Sequence, residues 1–260
     1  TAAGAQSGTL ILTGANPFSL SGTGTSSIIL DGTSALVDYS YTGAQNVLAT
    51  SYNNLTVSGG NTKTIQGSIS VNGTLDLFNG NLSLGSGTNN LTLVSTATIT
   101  TPASFDNTHM IVCDGSGSLI RQGTTAASFS VVYPVGTGSY YTPFEITNLT
   151  ASITGTGSVT VRAVASTAPG PPAAASTDLA KYWEVTATNL SSINANVRLT
   201  YNNPGEVGAG GDQTKYLPYL YTGGAWTQPG IFSAAGINPM TASGISTFAG
   251  QWTAREELIY

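Results

Sequence analysis

Few side chains in this chain could do chemistry. Of 260 residues, seven are Lys or Arg, twelve are Asp or Glu, one is His and one is Cys. The single His and Cys stand four apart in the run His109-Met110-Ile111-Val112-Cys113. On a helix that spacing would aim both at one metal ion. This run reads as a strand, where residues four apart share a face but lie about 13 Å from each other. A zinc site needs more ligands than this pair supplies, and the sequence holds no second His or Cys. No metal or other cofactor is therefore expected. Cys113 reads as a small core residue, and as a nucleophile it lacks any indicated orienting partner.

Glycoside hydrolysis needs two facing carboxyl groups. The nearest candidates are Asp106 with Asp114 and Glu256 with Glu257. The first two flank a strand in turn-like settings, where Asp serves the backbone. The second two sit in Arg255-Glu256-Glu257, which reads as a solvated charged tail. Asp31 and Asp212 are isolated, so neither builds the oxygen cage that calcium requires. Lys181 with Glu184 or Glu145 could supply part of an isopeptide cross-link, although an edge-strand lysine that discourages wrong pairing accounts for it as well. Catalytic residues are not expected, and the chain reads as a non-enzyme.

The remaining candidates are aromatic and apolar. Tyr140, Tyr141, Tyr219, Tyr221 and Trp226 are numerous enough in the C-terminal half to form a stacking surface for sugar rings. Leu10, Ile11 and Leu12 near the start and Leu258, Ile259 and Tyr260 at the end could add as strands to a neighbouring sheet.

The elements that would position these residues are strands. Charged residues make up 7% of the chain, against about 25% in an ordinary domain. An apolar fraction of 40% nevertheless argues for an ordered core rather than disorder. In residues 52–99, apolar pairs recur with one residue between them: Leu55/Val57, Ile69/Val71, Leu75/Leu77, Leu82/Leu84 and Leu91/Leu93. Four of the pairs have an Asn lead-in, at Asn54, Asn72, Asn81 and Asn90. Leu55 precedes Leu75 by 20 residues and Leu75 precedes Leu91 by 16, lengths suited to one coil of a β-solenoid. Inward Leu, Ile and Val would stack, with Asn and Gly at the corners and Ser and Thr in outer ladders. Asn-x-Ser/Thr triplets at Asn54, Asn72, Asn81, Asn90, Asn148 and Asn189 follow largely from that repeat.

Before the repeat, Thr9–Thr13, Ser27–Leu30 and Ala35–Tyr41 read as strands of a first coil or cap. After residue 115 the texture changes. Strands are expected at Phe129–Pro134, Phe144–Leu149, Ser158–Ala165, Lys181–Ala187, Ala195–Tyr201, Tyr216–Tyr221 and Ile245–Trp252, with the Pro/Ala-rich stretch Ala168–Ser176 as a surface loop. Short alternating strands divided by Gly and Pro turns suit an antiparallel β-sandwich. The expected architecture is all-β, a parallel β-solenoid over residues 1–115 followed by a β-sandwich over residues 116–260.

Three pieces, in this order, resemble the repeat-rich secreted surface and adhesin-like proteins of Bacteroidota-type bacteria. They are Tyr52-Asn53-Asn54-Leu55-Thr56-Val57-Ser58-Gly59-Gly60 with Lys63-Thr64 and Val71-Asn72-Gly73-Thr74-Leu75, then Tyr133-Pro134-Val135-Gly136-Thr137 with Tyr141-Thr142-Pro143, and last Lys181-Tyr182-Trp183-Glu184-Val185 with Leu199-Thr200-Tyr201 and Trp226. The resemblance implies an extracellular, cell-surface location and a β-architecture, not an activity. It also implies a mature product or internal module, since no C-terminal sorting domain is evident after Trp252.

A formal charge of −5 with no basic run argues against a nucleic-acid partner. The sequence has no apolar span of the length a membrane helix needs, so membrane insertion is not expected. The expected function is a structural or adhesive one: a subunit or module of a surface fibre whose partner is other copies of itself, joined by strand addition and end-to-end packing. The alternative is a carbohydrate-binding surface module acting through the C-terminal aromatic residues on surface glycans.

Overall fold

The alternation of apolar and small polar residues is realised as strands almost throughout. The computed structural model describes residues 8–18, 30–32, 34–138, 140–169 and 175–256. Two short 3-10 turns are the helical elements among them. No helix among the described residues is long and apolar enough to cross a membrane. The chain divides into two compact units, Thr1–Ile120 and Arg121–Tyr260.

In the first unit, β1 (Gly8–Leu12) precedes three successive groups of short strands. These are β2 (Ala35–Tyr39), β3 (Gln45–Val47) and β4 (Ser51–Tyr52), then β5 (Asn54–Val57), β6 (Thr62–Ile65) and β7 (Ile69–Val71), then β8 (Thr74–Asp76), β9 (Asn81–Ser83) and β10 (Leu91–Leu93). They are followed by β11 (Thr98–Thr100) and β12 (Ile111–Val112). Each group lays one strand in each of three parallel ladders. The first ladder runs β1-β2-β5-β8-β11, the second β3-β6-β9-β12 and the third β4-β7-β10. Val37 stands opposite Leu55, Leu55 opposite Leu75 and Leu75 opposite Ile99, so successive passages of the chain take 18, 20 and 24 residues. Leu91, 16 residues after Leu75, belongs to another ladder and faces Ile69. The shorter spacing in the sequence therefore reflects two different ladders rather than one coil.

Register keeps the apolar set inside. Val37, Leu55 and Leu75 are all buried, and so are Tyr39 and Val57 beside them. Each buried Leu stabilises the fold by about 2 kcal/mol relative to an exposed one. Outside, Ser58 Oγ donates to Asp38 (2.6 Å), Ser70 Oγ to Ser51 Oγ (2.8 Å) and Thr100 Oγ1 to Asp76 (3.1 Å), the expected polar ladders between passages. Asn54 bridges three passages at a corner, its Nδ2 donating to the Ala35 carbonyl and its Oδ1 accepting from Thr74 N–H. Gly73 faces it, where a side chain would meet Asn54 Oδ1 at 2.5 Å.

The strand β13 (Leu119–Gly123) carries the chain from the first unit into the second. There the strands are antiparallel: β14 (Val132–Tyr133), the hairpin of β15 (Val135–Thr137) and β16 (Tyr140–Tyr141), β17 (Phe144–Val164), β18 (Tyr182–Leu199), the hairpin of β19 (Tyr216–Thr222) and β20 (Ala225–Thr227), β21 (Ile231–Phe232), β22 (Met240–Ile245) and β23 (Gly250–Glu256).

Three sequence expectations differ here. Phe144–Leu149 and Ser158–Ala165 are not separate strands but two ends of β17, and Lys181–Ala187 and Ala195–Tyr201 contribute likewise to β18. Register shifts interrupt their pairing between Thr147 and Thr150 and between Ile153 and Ser158, with Asn148, Asn189 and Ser192 at positive φ. Bulges therefore bend one ribbon where two strands were expected. The run Ile245–Trp252 is broken instead: β22 ends at Ile245, the chain turns, and β23 begins at Gly250. In Phe129–Pro134, a 3-10 turn over Ala126–Phe129 takes the Phe, leaving a strand of two residues.

β18 meets β23 near its start, where Trp183 faces Trp252, and β22 near its end, where Leu199 faces Met240. Phe144 packs edge-on against Trp252 at 6.1 Å, and Trp183 Nε1 donates to the Thr142 carbonyl at 2.8 Å. The core of the unit is thus built on buried aromatic rings.

Candidate functional site

The residues singled out by type fall into separate places. Residues Leu258, Ile259 and Tyr260 lie outside the described residues, as does Ser27–Leu30 apart from Leu30. His109 pairs with Asp106 at 2.9 Å, and Thr108 also donates to that carboxylate. Burial pushes the Asp106 carboxyl up, but the Thr108 and His109 hydrogen bonds more than offset it and hold the group below its usual range. Cys113 is buried, its sulfur 4.0 Å from the Ile111 carbonyl. No group of three His, Cys, Asp or Glu residues converges among the described residues. Asp212 caps the 3-10 turn Gln213–Lys215 by accepting from Thr214 N–H.

Two charged segments differ from their sequence reading. Arg255 and Glu256 are not a solvated tail. Arg255 is buried and its Nε donates to Asp178 at 3.0 Å, while Glu256 accepts from Asp212 N–H at 2.7 Å. Lys181 is not an edge-strand residue. It is fully buried, with Nζ 2.9 Å from Glu206 and 3.2 Å from Thr137 Oγ1. Neither partner suggested for it takes that place, since Glu184 pairs with Arg162 and Glu145 with Arg198. Burial raises the Glu206 carboxyl above its ordinary value, with Lys181 and the Asn202 N–H pulling it partly back.

Lys63 is, after Arg255 and Lys181, a third buried cation among the described residues, in the parallel unit. Gln45, Lys63 and Leu82 stand opposite one another on β3, β6 and β9. Gln45 Nε2 donates to the carbonyls of Leu12 and Gly14, both at 2.8 Å. Lys63 Nζ repeats this one passage later, reaching Tyr41 (2.5 Å), Gly43 (3.0 Å) and Gly60 (2.6 Å). Burial lowers its pKa, partly offset by Asp38. The sequence gives no sign of this inward lysine, because an isolated Lys among Thr residues reads as an outer-face residue.

Among the described residues, two surfaces gather residues named from the sequence as partner-binding. β1 ends the first ladder. Leu10 is 40% and Ile11 60% exposed, while Leu12 is buried. Ser40 N–H donates to the Leu12 carbonyl, which directs Leu12 and Leu10 toward β2. The alternation of a parallel strand then turns the peptide groups of Thr9 and Ile11 to the open side.

The second surface is the outer face of the β19–β23–β18 region. Gly223 and Gly224, both at positive φ, form the tight turn that joins β19 to β20. That turn sets Trp226 opposite Tyr221, ring centroids 5.1 Å apart. The Arg255 guanidinium lies 5.4 Å from the Trp226 ring and 5.9 Å from the Tyr219 ring. Tyr219, Tyr221 and Trp226 are therefore brought together. Tyr140 and Tyr141 belong to the β15–β16 hairpin, with the Tyr140 ring against Gly205. Gln251, which the sequence does not single out, and Glu184, which it singles out only as a partner for Lys181, continue the same row of facing residues.

Compared with known proteins, the chain matches no family model, no curated protein and no solved structure.

Proposed function

We infer that the chain is a non-catalytic structural or adhesive module of an extracellular surface assembly, with copies of itself as partners. In this reading the first unit is a coiled parallel β-solenoid, supported by the orderly return of the chain to three ladders in constant register. The second unit is a β-sandwich whose bent β17–β18 ribbon contributes to both layers, supported by the Phe144–Trp252 contact. The buried charges serve the fold: Lys63 donates hydrogen bonds to turn carbonyls, and Lys181 and Arg255 are each paired with a carboxylate.

The observation that carries the reading is the edge of β1. Its sequence Gly-Thr-Leu-Ile-Leu has no charge, proline or bulge, the devices that ordinarily keep a sheet edge from pairing with another chain. Its peptide groups at Thr9 and Ile11 face outward, and two apolar side chains beside them are exposed. Strand addition at this edge buries both features at once.

Electron microscopy and light scattering test this at high protein concentration. Oligomers or filaments are expected from the intact chain and not after deletion of residues 1–13 or the substitution Ile11→Lys. A monodisperse monomer from the intact chain would contradict the reading.

A further inference from the structure

The outer face of the antiparallel unit carries a row of side chains at strand spacing. Trp226 faces Tyr221, Tyr221 faces Gln251, Gln251 faces Glu184 and Glu184 faces Arg162, across β20, β19, β23, β18 and β17. Directly opposed residues point to the same side of a sheet. The next residue on three of these strands goes inward, so Leu220, Trp252 and Trp183 form a buried row beneath. The outward five are all half-buried.

We propose that this row binds a neutral polysaccharide, with its sugar rings stacked on Tyr221 and Trp226 and its hydroxyls held by Gln251 and Glu184. Four observations choose this occupant. Tyr221 and Trp226, their rings tilted 45° to each other, present aromatic surface to the C–H face of a pyranose. Gln251 is half-buried directly opposite Tyr221, and a side-chain amide both donates to and accepts from ring hydroxyls. The charges of the row cancel, since Arg162 donates to Glu184 from Nε (3.0 Å) and Nη2, so the face does not select an anionic chain. Strands lie about 4.8 Å apart, so five positions span about 19 Å with a repeat close to the length of one pyranose residue.

The surface is also shaped for a ligand. An open depression of about 500 Å³ lies over Glu184, Thr186, Tyr221, Gly250 and Gln251. Gly250 lines it with backbone alone, held at φ +145° because a Cβ there would turn inward and stand 2.4 Å from the Tyr221 carbonyl and 2.6 Å from Leu220 Cδ1. Tyr182 Oη is 3.4 Å from Glu184 Oε1 and, with Arg162, fixes the carboxylate at the rim. This proposal does not depend on self-assembly through β1.

Trp183 and Trp252 are fully buried and Trp226 is not, so a ligand on this face reports through Trp226 fluorescence. Soluble oligosaccharides of cellulose, xylan, mannan and chitin are the probes, titrated into the intact chain in both wild-type and Ile11→Lys forms. At least one is expected to shift the Trp226 emission to the blue and protect it from acrylamide. Gln251→Ala and Tyr221→Ala are expected to weaken binding by about tenfold or more each, with unchanged circular dichroism, and Tyr140→Ala to leave it unchanged. Should Tyr221→Ala disturb the fold, Gln251→Ala alone decides. No binding of any neutral probe at millimolar concentration overturns the proposal. Binding that is insensitive to Gln251→Ala, or confined to anionic glycans, overturns it as well.

Discussion

The two units bury charge in different ways. In the parallel unit, Lys63 reaches three main-chain carbonyls that the winding of the chain brings together, one passage after Gln45 makes similar contacts. At both positions the neighbouring passage presents the acceptors, and side chains as different as Gln and Lys reach them. In the antiparallel unit, Lys181 and Arg255 depend on single carboxylates, Glu206 and Asp178, supplied from distant parts of the sequence. Repetition makes polar burial tolerant, whereas a unique core makes it specific. The parallel unit should therefore lose stability in small local amounts and the antiparallel unit in larger ones.

The largest effect is expected at Lys181. Lys181→Met leaves the buried Glu206 carboxylate without its cation and should cost about 4 kcal/mol in denaturant unfolding of the second unit at neutral pH. The pair Lys181→Met with Glu206→Leu should recover most of it. The pH dependence follows from burial, which already holds the Glu206 pKa above its ordinary value near 4.5. A carboxyl raised by folding favours the folded state below its unfolded pKa, and that contribution is lost as pH rises through the folded pKa. The deficit of Lys181→Met should accordingly shrink as pH is lowered from 7 toward 4.5. A deficit independent of pH would show that the cation matters only for packing.

Lys63→Met should cost less, about 2 kcal/mol, because carbonyls at a partly buried corner can recover water. A loss equal to that of Lys181→Met would erase the contrast between the units. Asn54→Ala is the smallest, about 1 kcal/mol, removing the two hydrogen bonds that bridge Ala35 and Thr74. Its effect on amide exchange should stay within neighbouring passages and leave β17–β23 unchanged.

Legibility in the sequence follows the same division. Leu55/Val57 and Leu75/Leu77 announce strands because one face of each is buried and the other is not. Their grouping into three ladders is hidden, since Leu91 looks like the next repeat of Leu75 while pairing with Ile69. The length of β17 is hidden too: around Thr150–Thr156 neither face is buried, so no alternation marks the strand. At the outer face, Tyr219, Tyr221 and Trp226 were legible as aromatic residues. Gln251 was not, and Glu184 was legible only as a partner for Lys181, because strand order and register decide what stands beside Tyr221.

The most direct test of the assembly reading is amide hydrogen exchange at Thr9 and Ile11 as a function of protein concentration. In dilute solution these outward-facing N–H groups should exchange quickly, while Leu10 and Leu12, directed at β2, are slower. Under conditions that produce oligomers, Thr9 and Ile11 should become protected. Oligomers that form while both amides keep exchanging at the dilute rate would contradict strand addition at β1.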